Sequence, residues 1–262
     1  MIDVSRPFHS VFESDPDSVG RRVALIRVSE ARSLRHATES ANRWDRPMST
    51  LTVSDAEMQA AADHIVAVDP AFAEVIDATG LCTVGRMPSA KGDHFADLVD
   101  SIIAQQLSTK AADTIGARLR LHLDGVLTPQ RILDLDDELL RGAGLSGAKT
   151  RTIRGLAEAL HSGSLDLAPA IASGDDDTVS RELQKMWGIG RWTAEMFLIF
   201  TLHRLDIWPV GDLAMRRGWD EVHRSDATTP NELDVLGEPL RPYRSIVAWY
   251  CWRQVDGDNP SW

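Results

Sequence analysis

Cysteine is scarce in this sequence: Cys82 and Cys251 are the only two in 262 residues. Two thiols cannot build a disulfide framework, and they are too few for a four-cysteine zinc or iron–sulfur site. No apolar run is long enough for a membrane-spanning helix, so no membrane role is expected. The first residues, Met1-Ile-Asp-Val-Ser-Arg-Pro, lack the apolar stretch of a secretory signal. A reducing, cytoplasmic setting is the resulting expectation. Segments alternating Val, Ile or Thr with polar residues are nearly missing, which argues against a sheet. Positive charge is in deficit: 28 Lys and Arg face 39 Asp and Glu, a formal net of −11. A chain of that charge does not coat DNA non-specifically. A local basic face remains compatible with it, because net charge is a global sum. Basic residues do cluster, at Arg141, Lys149, Arg151 and Arg154, and again at Lys185, Arg191, Arg216 and Arg217.

Helical periodicity is abundant. Apolar residues recur at three- and four-residue spacing over 58–67, 95–107, 111–123, 151–160 and 194–202. A first helix is expected from about Ser54. Ser108-Thr-Lys-Ala carries a start signal, and so does Ser173-Gly-Asp-Asp-Asp, with carboxylates at the positive end of the helix dipole. The expected fold class is mainly α. Residues 1–47 differ: they hold Pro7, Pro16 and Pro47, mixed charges and no sustained periodicity. They read as a poorly ordered N-terminal extension, with Met48 as an alternative start, ahead of one domain over 48–262.

Leu183-Gln-Lys-Met-Trp-Gly-Ile-Gly-Arg-Trp-Thr-Ala-Glu-Met-Phe-Leu carries the strongest signal. It predicts a helix–hairpin–helix over 181–202, with one helix ending near Met186 and the next beginning near Arg191. Gly188 and Gly190 flank Ile189, which permits a tight turn with positive φ angles. Such a turn leaves backbone N–H groups clustered at a helix N-terminus, a ready phosphate site. Gly188, Gly190, Arg191 and Thr193 are the candidate phosphate contacts, with the Thr193 hydroxyl as an added donor and Ile189 as the core anchor. An ordinary αα-turn with glycine caps is the plain alternative.

Four motifs together carry a resemblance: Ile103-Ala-Gln-Gln-Leu-Ser, the Gly-Ile-Gly hairpin, Pro209-Val-Gly-Asp212, and Pro242-Tyr-Arg-Ser followed by Trp252. Over roughly residues 54–255 the chain resembles the helix–hairpin–helix (HhH-GPD) DNA glycosylase superfamily, in particular its AlkA-type 3-methyladenine glycosylase II branch. The resemblance implies two helical subdomains, about 94–202 and about 54–93 plus 213–255. Residues 1–53 are too short and too polar for the N-terminal β domain of the larger AlkA-type enzymes.

The resemblance also implies roles. Asp212 matches the catalytic aspartate. N-glycosidic cleavage builds positive charge on the sugar, and a preorganised carboxylate stabilises it or orients the attacking water. Its plainer role is a helix N-cap, and the two are compatible. Trp192 stands where bifunctional relatives carry a lysine that forms a Schiff base, so a monofunctional enzyme that leaves an abasic site is implied. Seven of the eight tryptophans lie in 187–262. Trp208 and Trp219 read as core. Trp192, Met196 and Trp252 match base-pocket positions, where an indole face attracts a cationic flipped base. The family places an aromatic where Met196 stands. Leu107, with Gln106, matches the wedge that fills the gap left by the flipped base. The backbone carbonyls of Gln184, Met186 and Ile189 match a structural Na⁺ or K⁺ site. No cofactor is otherwise required, and no iron–sulfur cluster is expected. The implied partner is double-stranded DNA containing alkylated bases, 3-methyladenine or 7-methylguanine, handled by a monomer. Two other readings stay open: an oxidised or deaminated base as substrate, and a non-catalytic DNA-binding module.

Overall fold

Ser54 carries a complete start signal. Its hydroxyl accepts from the Glu57 amide at 3.2 Å, and the Glu57 carboxylate accepts from the Ser54 amide at 2.8 Å. This reciprocal cap opens α1 (Asp55–Val68). The computed structural model describes residues 53–85 and 94–256. The extension expected over 1–47 lies outside the described residues. Among the described residues there are thirteen α-helices, a few short 3₁₀ or π turns and no β-strand. The mainly α expectation therefore holds.

α2 (Ala73–Thr79), α3 (His94–Ala104) and α4 (Thr109–His122) follow α1, and then come α5 (Pro129–Asp134), α6 (Asp137–Gly142) and α7 (Gly147–Ser162). Ser108 caps α4 through the Ala111 amide, and Ser146 caps α7 through the Lys149 amide. α8 (Ala168–Ser173) precedes α9 (Asp176–Gln184). Here the start signal falls differently from expectation. Ser173 ends α8, with Gly174 left-handed behind it, and Asp175 is the cap of α9. The aspartate outcompetes the serine because its Oδ1 reaches the Thr178 amide at 2.9 Å. α10 (Arg191–Met196) widens into one π turn, Phe197–Thr201. α11 (Leu213–His223), α12 (Pro230–Gly237) and α13 (Arg244–Asp256) complete the chain.

Two apolar clusters hold these helices. The first gathers Leu98, Ile102, Leu119, Ile153, Leu156, Leu183 and Ile189 from α3, α4, α7, α9 and the hairpin. The second gathers Met58, Ile65, Phe72, Met215, Trp219, Val247 and Tyr250 around α13. Trp208 also belongs to the second cluster, so both tryptophans read as core are core. Ile246 through Trp252 are all buried, the mark of a helix enclosed on every side rather than amphipathic. α10 and its π turn serve both clusters: Ala194, Phe197 and Leu198 enter the first, Met196 and Ile199 the second. Cys82 and Cys251 are buried free thiols. Burial pushes the Cys251 thiol far above its usual range, which leaves it inert. No described helix is long and apolar enough to cross a membrane.

α11 and α13 meet without a side chain between them. A Cβ on Gly218 would lie 1.8 Å from the Cys251 carbonyl oxygen. Gly→Ala at an open helix position gains about 1 kcal/mol. Here the added methyl has to push two backbones apart, and overpacking of this kind costs about 1–3 kcal/mol. Gly218→Ala is therefore expected to lower stability by that amount, read as a lower urea midpoint at unchanged slope.

Candidate active site

The hairpin turns within a few residues. Past Gln184, the Met186 amide donates to the Leu183 carbonyl at 3.0 Å and the Ile189 amide to the Met186 carbonyl at 3.1 Å. Gly188 has φ +81, and a Cβ there would lie 2.0 Å from Thr152 Oγ1 of α7. Only glycine meets both demands. Gly190 departs from the expected geometry, with an ordinary extended φ of −95. A Cβ there would meet nothing within 4 Å, so packing within the chain does not demand glycine at this position. No side chain caps α10, so the amides of its first turn have no capping partner. Ile189 is buried in the first cluster, the anchor the sequence assigns it.

Thr193 is 1% exposed, and its hydroxyl accepts from Gln105 Nε2 at 2.8 Å. Its side chain is turned inward, and the hydroxyl is engaged by Gln105. Arg191 is largely exposed and donates from Nε to Glu195 at 2.7 Å. Glu195 is buried, and burial pushes its carboxyl above the usual range; Arg191 opposes that shift and the charge of Asp212 adds to it. Of the three carbonyls proposed for a cation, that of Met186 already takes the Ile189 amide. A carbonyl has a second lone pair, so this does not prevent coordination.

The loop after α3 is tied to the hairpin. Gln105 Nε2 donates to the Gly188 carbonyl at 3.2 Å as well as to Thr193. Lys149 Nζ donates to the carbonyls of Ile103 at 2.7 Å and Gln105 at 2.9 Å, and burial lowers its pKa. Next to this fixed point, Gln106 adopts a left-handed φ of +58 and is exposed. Leu107 is 40% exposed, so the expected wedge leucine projects from the surface. Sequence reasoning missed Gln105 and Lys149 as the supports. Within the same basic cluster Arg154 is spent on Asp137 and the Leu135 carbonyl, and Arg151 lies over the exposed Trp187 ring at 4.1 Å.

Asp212 is the N-cap of α11, and three donors converge on it. Oδ1 accepts from the Met215 amide at 2.7 Å and from Trp252 Nε1 at 3.2 Å. Oδ2 accepts from Trp192 Nε1 at 2.5 Å. Trp192 comes from α10 and Trp252 from α13, so the carboxylate joins three helices. The structure thus brings Asp212, Trp192 and Trp252 together, with Met196 one turn from Trp192. Met196 is buried, and Trp252 is 8% exposed, with Phe200 against it at 5.6 Å. Trp192 and Asp212 are half-buried. A cavity of about 400 Å³ opens beside the hairpin, between α6, α7 and Trp187, and none of these four residues lines it.

This geometry coincides with a known family. Residues 99–242 match the model of the HhH-GPD superfamily base excision DNA repair protein. The Schizosaccharomyces pombe DNA-3-methyladenine glycosylase 1 is 32% identical over 194 residues, 72% of this chain and 84% of that protein. A solved structure of the Schizosaccharomyces pombe 3-methyladenine DNA glycosylase in complex with abasic DNA superposes with a TM-score of 0.68 at 31% identity. It covers 74% of this chain and 95% of that one. A DNA-3-methyladenine glycosidase from Bacillus halodurans gives a TM-score of 0.60 at 34% identity, covering 74% and 88%. The chain belongs to the HhH-GPD superfamily of base excision DNA repair proteins, in its 3-methyladenine DNA glycosylase branch.

Proposed function

We propose that this protein is a monofunctional glycosylase that flips alkylated purines, 3-methyladenine and 7-methylguanine, out of double-stranded DNA and hydrolyses their N-glycosidic bond. The observation that carries this reading is Asp212, a half-buried carboxylate held between two tryptophans beside the hairpin. Names borne by the relatives support the substrate class.

Each part has a physical task. Backbone amides around Gly188 and Gly190 take a DNA phosphate, aided by the dipole of the following helix and by the exposed Arg191. Leu107 enters the stack where the base has left and offsets part of the lost stacking. As the glycosidic bond lengthens, positive charge grows on the sugar, and the Asp212 carboxylate lies there to stabilise it. The electron pair of the broken bond leaves with the base; water adds to the sugar, giving its proton to the Asp212 carboxylate, and an abasic site remains. N-alkylated purines of this kind carry positive charge and depart without a dedicated general acid. An indole at position 192 has no amine to attack the sugar, so no Schiff base forms. A monovalent cation on the carbonyls of Gln184, Met186 and Ile189 would bridge the hairpin to phosphate and would take no part in bond cleavage.

Three outcomes test this. Asn caps a helix as well as Asp does, so Asp212→Asn keeps the α11 cap while losing the charge and the acceptor for Trp192. It is expected to reduce single-turnover release of 7-methylguanine from methylated DNA by about 10²–10³-fold, the scale of losing one preorganised electrostatic group. Unchanged release rejects the mechanism. Borohydride added during turnover is expected to trap no covalent protein–DNA adduct. Gly188→Ala, strained in φ and blocked by Thr152, is expected to weaken binding to abasic-site DNA by about five- to 150-fold, a loss of roughly 1–3 kcal/mol.

A further inference from the structure

The tryptophans beside Asp212 are ordinarily assigned a surface for a flipped base to stack on. Their contacts in this protein point to another task. Trp252 is almost wholly buried, with Phe200 against its ring at 5.6 Å and 34°, so little of its face is open to a base. Its indole N–H, and that of Trp192, both end on the same carboxylate.

Counting lone pairs shows what this does. An ionised carboxylate has about four acceptor positions. The Met215 amide and Trp252 occupy Oδ1, and Trp192 occupies one position on Oδ2. One position remains, on Oδ2. We infer that Trp192 and Trp252 are positioning residues whose N–H groups lock the Asp212 carboxylate in one rotamer with a single lone-pair position of Oδ2 open. This rests on Asp212 being the catalytic carboxylate. The cap alone is one bond to Oδ1, and a small torsion about the last side-chain bond, which moves both oxygens together, would displace Oδ2. Trp192 removes that freedom. It also ties the carboxylate to α10, the helix that begins at the phosphate-binding turn. Electrostatic stabilisation depends on a fixed distance to the developing charge, so the lock acts on the chemical step and not on DNA affinity. Of the two, Trp192 has the shorter contact, 2.5 against 3.2 Å, and carries the larger share.

The test keeps the ring and removes the N–H. 3-Benzothienylalanine, which carries sulfur in place of the indole N–H, is placed at 192 or at 252 of the full chain. Single-turnover release of 7-methylguanine and affinity for duplex containing a tetrahydrofuran abasic analogue are then measured. A hydrogen bond to a charged group corresponds to about a ten- to hundredfold effect. Release is expected to fall about tenfold or more for position 192 and less for 252, with abasic-site affinity within about twofold of the parent. In an Asp212→Ala background the replacement at 192 is expected to change nothing further, because the group it holds is gone. Trp192→Phe serves as a second variant and is expected to show the same loss and the same non-additivity. Parent-like release by the sulfur isostere overturns the inference, as does an equal loss with or without Asp212, the pattern of a stacking surface. The two readings fail separately. If Asp212→Asn leaves release unchanged, the catalytic reading falls; if that substitution abolishes release while the isostere does not, only the lock falls.

Discussion

One short segment, 189–201, belongs to both apolar clusters, and the rest of the site takes its position from this constraint. Its first face enters the cluster of α3, α7 and α9; its second enters the cluster around α13. Side chains in close-packed interiors cannot shift independently. The Gly188–Gly190 turn therefore cannot move without moving Trp192, whose indole N–H donates to Asp212. The distance between the hairpin turn and the Asp212 carboxylate is thus set by packing.

Most of the fold is legible in the sequence because its causes are local. Apolar spacing marks α1, α3, α4 and α7, and Ser54 and Ser108 announce the first and third of these with hydroxyl caps. The hairpin is legible because Gly188 is required by sterics, and Asp212 because a capping carboxylate after a turn has a recognisable context. Other features depend on tertiary geometry. Nothing in Gly-Ile-Gly says that only the first glycine needs a positive φ. Thr193 reads as a surface hydroxyl, yet Gln105, 88 residues away in sequence, turns it inward. Indole composition signals aromatic surface, whereas the direction of an N–H is set by how three helices cross. Lys149 and Arg154 read as basic surface; in the fold they satisfy backbone carbonyls at helix ends.

Charge shows the same difference between sum and place. The acidic excess of the whole chain coexists with a site whose exposed cation, Arg191, is held by a buried partner, Glu195. The uncapped amides at the start of α10 add partial positive charge beside Arg191; they carry no formal charge, so net composition does not register them.

Asp212 holds two posts: it caps α11 and supplies the anion. Asn meets the first requirement as well as Asp does, while lacking the charge. Loss of function at this position therefore need not be loss of protein. Under the proposed function, a change there that keeps the cap leaves the hairpin and its packing in place while removing the charge, so DNA binding and bond cleavage would part company at this one position.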